Sequence, residues 1–151
     1  GPLDDASDLF EGLQLLANMR MCANVPAQHA IQTALGGYQS IDDMVKPGGR
    51  FHDQLQVAHK LLNDIPGLSC EPARGALYLF PHLNAEMFDI EDDEEWALGL
   101  LRRKKILISH GRGFNWPHPD HFRLVALPEE SVLREAVGRI AEYCEETRVI
   151  D

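Results

Sequence analysis

One arginine lies where a charged side chain is costly. Arg123 interrupts the apolar run from Phe122 to Leu127, which has the composition of a buried strand. A guanidinium in such a strand needs a carboxylate or another anion as its partner, and its planar fork meets a carboxylate with two parallel hydrogen bonds. The pattern alone leaves two interpretations open: a structural ion pair, or a clamp for an anionic ligand.

The loop before that strand carries a cluster of histidines. His118, Asp120 and His121 lie close together in the sequence, and His110 stands earlier in the same loop. These residue types bind transition metals, but prolines interleave them, and metal ligands usually stand at regular spacing on rigid elements. We therefore expect a solvated or structural loop and no metal site.

Other residue types that could do chemistry receive plainer interpretations. The acidic run from Glu91 to Glu95 starts a predicted helix, where the helix dipole favours negative charge, so we expect it to be solvated. Cys22, Cys70 and Cys144 form no CxxC pair and are predicted to be small core residues in a reducing cytoplasm. Gly111-Arg112-Gly113 has no following helix and is predicted to be a turn, and the sequence contains no nucleophile elbow or GxGxxG loop.

The elements that must position these residues follow from hydrophobic periodicity. Five helices are predicted: at about 8 to 20, from Pro26 to Leu35, at about 50 to 63, from Asp92 to Lys105 and at about 129 to 146. The second of these is predicted to end in a left-handed stop at Gly36-Gly37, and a short helical turn is predicted over 41 to 45. Strands are predicted over 68 to 70, 76 to 80, 106 to 109 and 121 to 127. This order predicts an α+β fold, a small sheet covered by helices on one side. The apolar-faced helices of the first ~45 residues have no strands of their own and need a partner surface.

Composition excludes several classes of function. The 151 residues amount to about one domain, and 14 Lys+Arg against 24 Asp+Glu give a formal net charge of -10, which disfavours binding to nucleic acid or anionic lipid. The longest apolar stretches are far shorter than the ~20 residues of a membrane-spanning helix. The first residues have neither the basic nor the apolar region of a secretory signal, so we expect a cytoplasmic protein.

Three groups of segments resemble the class I/II pyridoxal-phosphate aminotransferases of fold type I. Residues 72–81, Pro-Ala-Arg-Gly-Ala-Leu-Tyr-Leu-Phe-Pro, resemble the family's proline-glycine-aromatic strand. The run His110-Gly111-Arg112-Gly113-Phe114, followed by Phe122-Arg123-Leu124, resembles the loop and strand that present its carboxylate-binding arginine. Residues 21–26 with Gln28, 34–40 and 114–117 are similar to the bacterial glutamate-pyruvate (alanine) aminotransferase group. The resemblance is collinear and covers essentially the whole chain.

This resemblance implies a domain organisation. Residues 1–46 would be the helical end of the large cofactor-binding domain, and residues 47–151 would be the small domain, beginning with the helix that bridges the two. The family's Schiff-base lysine and its other cofactor-binding residues would lie upstream of residue 1. We expect no catalytic residue in this chain, because none of its lysines falls at a buried strand end. The lysines considered are Lys46, Lys60, Lys104 and Lys105.

The resemblance also implies roles for two arginines. Arg123 would bind the substrate α-carboxylate, and Arg20 is the nearest candidate for the arginine that reaches across the dimer to a distal carboxylate in dicarboxylate-specific relatives. The chain departs from the family at His110-Gly111, where many members have Pro-Gly, and at Asn115, where a glycine is common. Both departures concern the shape of the substrate pocket.

The function that follows is amino-group transfer between an amino acid, expected to be alanine, and a 2-oxo acid, expected to be 2-oxoglutarate. The intact enzyme would be a cytoplasmic homodimer with pyridoxal phosphate as its cofactor, and this chain alone would be inactive. Two alternatives stay open at this point: a pyridoxal-phosphate lyase or synthase of the same fold, and a non-catalytic interaction or dimerisation module.

Overall fold

The computed structural model describes residues 6–149, which form two compact units that divide between Ser40 and Ile41. The division falls earlier than the boundary that the sequence predicts after residue 46. The assignment of the two parts to a large and a small domain stays a prediction.

The first unit consists of two amphipathic helices, α1 (Ser7–Arg20) and α2 (Val25–Gly36). Asn24 caps α2, because its side chain accepts a hydrogen bond from the Ala27 amide at 3.4 Å. Neither helix buries a side chain, and Leu13 and Leu35 are 56% and 77% exposed. The apolar faces that the sequence predicts are therefore present without a covering surface among the described residues.

The predicted left-handed stop after α2 is wrong. Gly37 is extended, with φ −86° and ψ −167°, and its amide donates to the carbonyl of Thr33 at 3.0 Å. A Cβ at this position would lie 2.6 Å from the same carbonyl oxygen. Glycine is needed at residue 37 because the chain passes close to the helix end, and not because of a positive φ.

Residues from Ser40 onward supply the remaining elements. The helices are α3 (Ser40–Val45), α4 (Arg50–Asn63), α5 (Ala85–Phe88), α6 (Asp93–Lys104) and α7 (Glu130–Thr147), with a 3₁₀ helix at Gly111–Phe114. The strands are β1 (Leu68–Ser69), β2 (Tyr78–Leu79), β3 (His82–Leu83), β4 (Ser109–His110) and β5 (Phe122–Val125). No helix in residues 6–149 is long and apolar enough to cross a membrane.

A three-stranded antiparallel sheet in the order β2-β5-β4 organises the second unit, while β1 and β3 pair separately. Along β5, Phe122 and Leu124 are buried, Arg123 is half-buried and Val125 is exposed, so one face of the sheet meets the core and the other stays open. Trp96 of α6 stacks on Phe122 with ring centroids 5.7 Å apart. The largest fully buried apolar side chains of the core are Phe122, Leu62, Leu79, Leu83, Leu100, Leu133 and Ile140. The predicted α+β fold, with helices over one face of a small sheet, is confirmed.

Several predicted strands are shorter than expected. The two strands predicted over 68–70 and 76–80 do not pair with each other, because β1 pairs with β3, a strand that the pattern did not indicate. The buried strand predicted over 106–109 is also wrong. Only Ser109 of that range joins the sheet, and Leu107 is 80% exposed. Lys105 ends α6 in a left-handed conformation with φ 61°, after which the chain runs to the sheet edge without a strand partner.

The three cysteines do not share one environment. Cys70 and Cys144 are buried, as predicted, but Cys22 is exposed in the segment between α1 and α2. The prediction of a core position for Cys22 is wrong because the unit that contains it buries no side chain of either helix.

Candidate functional site

Arg123 stands on the open face of the sheet in contact with two aromatic rings. Its guanidinium carbon lies 4.8 Å from the ring centroid of Tyr78 on β2 and 4.4 Å from that of Phe114 in the loop before β5. Ser109 of β4 lies opposite Arg123 in the antiparallel pairing of β4 with β5. An aromatic ring attracts a guanidinium through its negative face, so the two rings hold this cation without neutralising it.

The guanidinium of Arg123 has no carboxylate partner among the described residues. Its Nε is buried and meets no hydrogen-bond acceptor there. Other arginines of the same unit do pair with carboxylates: Arg102, Arg103, Arg112, Arg134, Arg139 and Arg148. A buried hydrogen-bond donor without an acceptor costs free energy. Arg123 is therefore suited to bind an anion that the described residues do not supply.

Arg112 fixes the start of the loop that carries Phe114. Its Nε and its backbone amide donate to the two carboxylate oxygens of Asp93 at 2.7 and 2.9 Å. Its Nη2 reaches Oδ1 of Asp92, a carboxylate that also caps α6 by accepting from the amides of Glu94 and Glu95. The hydrogen bonds from Arg112 and these amides hold the pKa of Asp92 below its ordinary value, and both carboxylates raise the pKa of Arg112.

This anchor corrects two predictions from the sequence. The acidic run is not solvated throughout, because Asp93 is only 2% exposed and Asp92 and Asp93 both bind Arg112, although Glu91, Glu94 and Glu95 are exposed. The predicted turn at 111–113 is a 3₁₀ helix that continues to Phe114. Its glycine at 111 is needed for close packing, since a Cβ there would lie 2.8 Å from the carbonyl oxygen of His121.

Asp120 fixes the other end of the loop. One of its carboxylate oxygens accepts from the indole Nε1 of Trp116 at 2.8 Å and contacts the Nδ1 of His121 at 2.6 Å. His82 approaches the second oxygen at 3.7 Å. Burial raises the pKa of Asp120, but the hydrogen bonds from His121 and Trp116 outweigh it and leave the pKa below its ordinary value.

The histidine cluster forms no metal centre in the part of the chain that the structure describes. No three side chains of His, Cys, Asp or Glu type are arranged there to hold an ion. His118 is exposed, whereas His121 is partly buried and packs on Phe80 and Trp116, with ring centroids 4.8 and 4.4 Å away. The cluster is an aromatic and hydrogen-bonded support for the loop.

The other arginine that the resemblance selects lies in the first unit. Arg20 is exposed in the last turn of α1, where a positive charge complements the helix dipole. Its role in binding a distal carboxylate stays a prediction.

The lysines do not fit a role in binding a carbonyl cofactor. Lys104 donates to Glu142 and Glu146 at 2.9 and 2.7 Å, and these hydrogen bonds raise its pKa, with the contact to Glu146 contributing most. Lys46 pairs with Asp43, Lys105 donates to the carbonyl of Arg102, and Lys60 is exposed. A nucleophilic lysine needs a lowered pKa or a neighbouring base, and the described contacts of these four lysines show neither; the absence of a Schiff-base lysine stays a prediction.

The sequence pattern singled out Arg123 but not its neighbours. Tyr78 and Phe114 come from separate strand and loop segments that only the tertiary fold brings together. The signal available in the sequence was that both lie in segments that carry the family resemblance, Tyr78 in 72–81 and Phe114 in 110–114. The pairing of Asp93 with Arg112 had none, because the two residues stand 19 positions apart in different elements.

Comparisons with known proteins give consistent results. Over 143 residues, the chain is 56% identical to the alanine aminotransferase of Mycobacterium tuberculosis and 52% identical to the glutamate-pyruvate aminotransferase AlaA of Escherichia coli; each match covers 95% of this chain. The chain spans 33% and 35% of these two relatives, about a third of their length. No protein-family model matches.

Solved structures agree with the sequence relatives. The crystal structure of an aminotransferase from Escherichia coli matches 99% of this chain at 49% identity with a TM-score of 0.84, over 37% of its own length. The alanine aminotransferase from Pyrococcus furiosus matches 96% of this chain at 31% identity with a TM-score of 0.73, over 36% of its own length.

Proposed function

This chain belongs to the fold type I aminotransferases, as a C-terminal portion of an alanine aminotransferase-like protein, and on that premise we propose that the intact protein is a pyridoxal-phosphate-dependent alanine aminotransferase. It would transfer an amino group between alanine and 2-oxoglutarate. We further propose that residues 1–46 complete the large domain, that residues 47–151 form the small domain and that the enzyme acts as a cytoplasmic homodimer. Free thiols at all three cysteines support a reducing compartment.

The observation that carries this proposal is the guanidinium of Arg123, which has no carboxylate partner within residues 6–149. An amino acid and a 2-oxo acid share an α-carboxylate, so one arginine can bind both substrates of the two half-reactions. Arg123 offers a cation whose buried Nε has no acceptor among the described residues and whose guanidinium lies against two aromatic rings. Two parallel hydrogen bonds to a carboxylate would satisfy it and fix the orientation of the substrate.

The residues of this chain would bind and orient the substrate rather than carry out the bond chemistry. Pyridoxal phosphate supplies the electron sink when bound. Arg123 would hold the α-carboxylate, Phe114 and Tyr78 would keep the guanidinium in place, and the hydrogen bonds of Arg112 to Asp93 would keep Phe114 in its loop. A substrate held in one geometry reacts faster because less orientational entropy is lost on reaching the transition state.

Replacement of Arg123 in the intact protein tests the proposal. Arg123→Lys keeps the charge but loses the planar fork, so kcat/KM should fall by roughly ten- to a thousandfold for alanine and for 2-oxoglutarate alike, with the cofactor still bound. Arg134→Lys is the matched control, because Arg134 is exposed and pairs with Glu130 on the surface of α7. Unchanged kinetics with both substrates would show that Arg123 does not bind the α-carboxylate.

Arg20 would separate the two substrates. If it contacts the distal carboxylate that 2-oxoglutarate has and alanine lacks, Arg20→Ala should raise KM for 2-oxoglutarate and leave KM for alanine unchanged. Equal effects on both substrates would contradict this role, and no effect on either would make Arg20 an ordinary exposed residue.

The 151-residue chain by itself should not transaminate. Its lysines are exposed or hydrogen-bonded, and none has the environment of a nucleophile. Incubation with pyridoxal phosphate, borohydride reduction and mass spectrometry should find no single lysine modified in preference to the others. Stoichiometric modification of one lysine, retained after dialysis, would contradict the assignment.

A further inference from the structure

We propose that Asp120 is a positioning residue for Arg123, because its carboxylate closes the loop that places Phe114 against the guanidinium. The inference rests on the proposed role of Arg123 in binding the substrate carboxylate. Asp120 forms no ion pair or side-chain hydrogen bond with Arg123, so it would act through Trp116 and Phe114.

The first step is that Asp120 is itself held firmly. Its backbone carbonyl accepts from the amide of Leu83 at 2.7 Å, which ties it to the end of β3. Its side chain is 20% exposed, so water competes little for the carboxylate. The residue therefore presents a fixed acceptor at the start of β5.

The second step is that this acceptor holds the end of the loop. A single carboxylate oxygen receives the indole N–H of Trp116 at 2.8 Å and contacts His121 Nδ1 at 2.6 Å. His121 precedes β5, whereas Trp116 ends the loop that begins at Gly111. Hydrogen bonds to an ionised carboxylate are stronger than those to a neutral acceptor, so Asp120 joins the loop to the strand that bears Arg123.

Trp116 is linked to Phe114 through the backbone of the loop and through the ring of Phe80. The amide of Trp116 donates to the carbonyl of Gly111 at 3.3 Å, which closes the loop on itself. The ring of Phe80 contacts both Trp116 and Phe114 edge to face, with centroids 5.6 and 6.4 Å apart. Phe114 is 46% exposed, so burial alone does not hold its ring against Arg123. Release of Trp116 should therefore free Phe114.

Three variants of the intact protein separate the carboxylate from the rest of the loop. Asp120→Ala removes the acceptor, Asp120→Asn retains one carbonyl oxygen that can accept from both donors, and Trp116→Phe keeps an aromatic ring but removes the indole N–H.

We expect Asp120→Ala and Trp116→Phe to raise KM for alanine and for 2-oxoglutarate by about two- to thirtyfold, the range of one cation–π contact, with kcat within about twofold of the parent. Asp120→Asn should restore most of the loss, and Asp64→Ala, at an exposed aspartate of the same unit, should change nothing.

A spectroscopic measurement makes the test independent of activity. In protein labelled with ¹⁵N-arginine, the Nε–H signal of Arg123 should be displaced by the ring currents of Phe114 and Tyr78. Asp120→Ala should reduce this displacement, and Asp120→Asn should largely retain it. An unchanged signal in both Asp120→Ala and Trp116→Phe would overturn the positioning role, whatever Arg123 does.

A double-variant comparison then separates this inference from the proposed function. If Asp120 acts through Arg123, the effect of Asp120→Ala on KM should disappear in an Arg123→Lys background. The same fold-change in both backgrounds would overturn the inference while leaving Arg123 as the substrate ligand. Parental kinetics for Arg123→Lys would instead overturn the proposed function, and the Arg123 signal would still decide whether Asp120 positions the guanidinium.

Discussion

Helices in the two units of this chain obey the same local rules but differ in what they bury. Leu13 in α1 and Leu62 in α4 are both leucines on the apolar face of an amphipathic helix, yet Leu13 is 56% exposed and Leu62 is fully buried. α4 packs against α7 within the second unit, while α1 and α2 bury no side chain. Periodicity therefore predicts which face of a helix is apolar, but not whether this chain contains the surface that covers it.

The difference is the physical basis for treating the first unit as part of a larger structure. A contiguous apolar surface on an isolated protein usually marks an interface. Leu9, Leu16 and Met19 extend the exposed face of α1 at 67%, 64% and 79%. We expect this face to be covered in the intact protein, either by the rest of the proposed large domain or by a second copy.

The largest effect that distinguishes the two units should come from truncating these leucines. In the 151-residue chain, Leu62→Ala should lower the free energy of unfolding by about 2–5 kcal/mol, because it leaves a cavity in the core. Leu13→Ala should change it by less than about 0.5 kcal/mol, since no buried contact is lost. Denaturant unfolding measures both values, and equal losses would contradict the comparison.

The same pair in the intact protein sharpens the comparison. Coverage of α1 by the rest of the intact protein would turn Leu13→Ala into a core truncation with a cost closer to that of Leu62→Ala. A Leu13→Ala variant of the intact protein with parental stability would show that α1 stays uncovered there too.

Thiol labelling should give the next largest difference. Cys22 is exposed in the first unit, whereas burial raises the pKa of Cys144 to about 12 and also raises that of Cys70. The thiolate is the reactive form, so with iodoacetamide at about pH 8 Cys144 should be alkylated at least about a hundredfold more slowly than Cys22. Mass spectrometry of the peptides measures each rate. Comparable rates would show that α7 opens readily or that Cys22 is protected.

The same contrast explains how much the sequence could predict. The helices α4 and α6, the strand with Arg123 and the α+β class all follow from local periodicity, and the structure confirms them. Two of the wrong predictions depend on surroundings that are distant in the chain. Cys22 was expected in a core that its unit does not have, and Asp93 was expected in solvent because nothing near it in the sequence indicates Arg112.

A buried charge in the second unit should give a smaller effect than a core leucine. Asp93→Asn removes the negative charge that accepts hydrogen bonds from Nε and the backbone amide of Arg112. We expect the free energy of unfolding to fall by about 1–2 kcal/mol. The loss is modest because the side chain of Arg112 remains partly exposed to water. Glu94→Gln, at an exposed position of the same helix start, is the control and should lie within about 0.5 kcal/mol of the parent. An Asp93→Asn variant as stable as that control would mean that the loop does not depend on the ion pair.

The smallest effect should appear in acid and should be confined to the second unit, around Asp120. Its pKa is below the ordinary value of 3.8 because hydrogen bonds from His121 and Trp116 outweigh the effect of burial. A carboxyl group with a lowered pKa stabilises the folded state above the pKa it has in the unfolded chain, and this contribution is lost as the pH falls from about 4 through the folded-state value.

The Trp116 indole N–H signal should therefore move in that interval, and Asp120→Asn should reduce the decline in unfolding free energy below about pH 4. Part of the decline should remain, since Asp92 and Glu146 also have lowered pKa values at exposed positions screened by solvent. A decline as steep in Asp120→Asn as in the parent would show that the carboxylate does not stabilise the loop that supports Arg123.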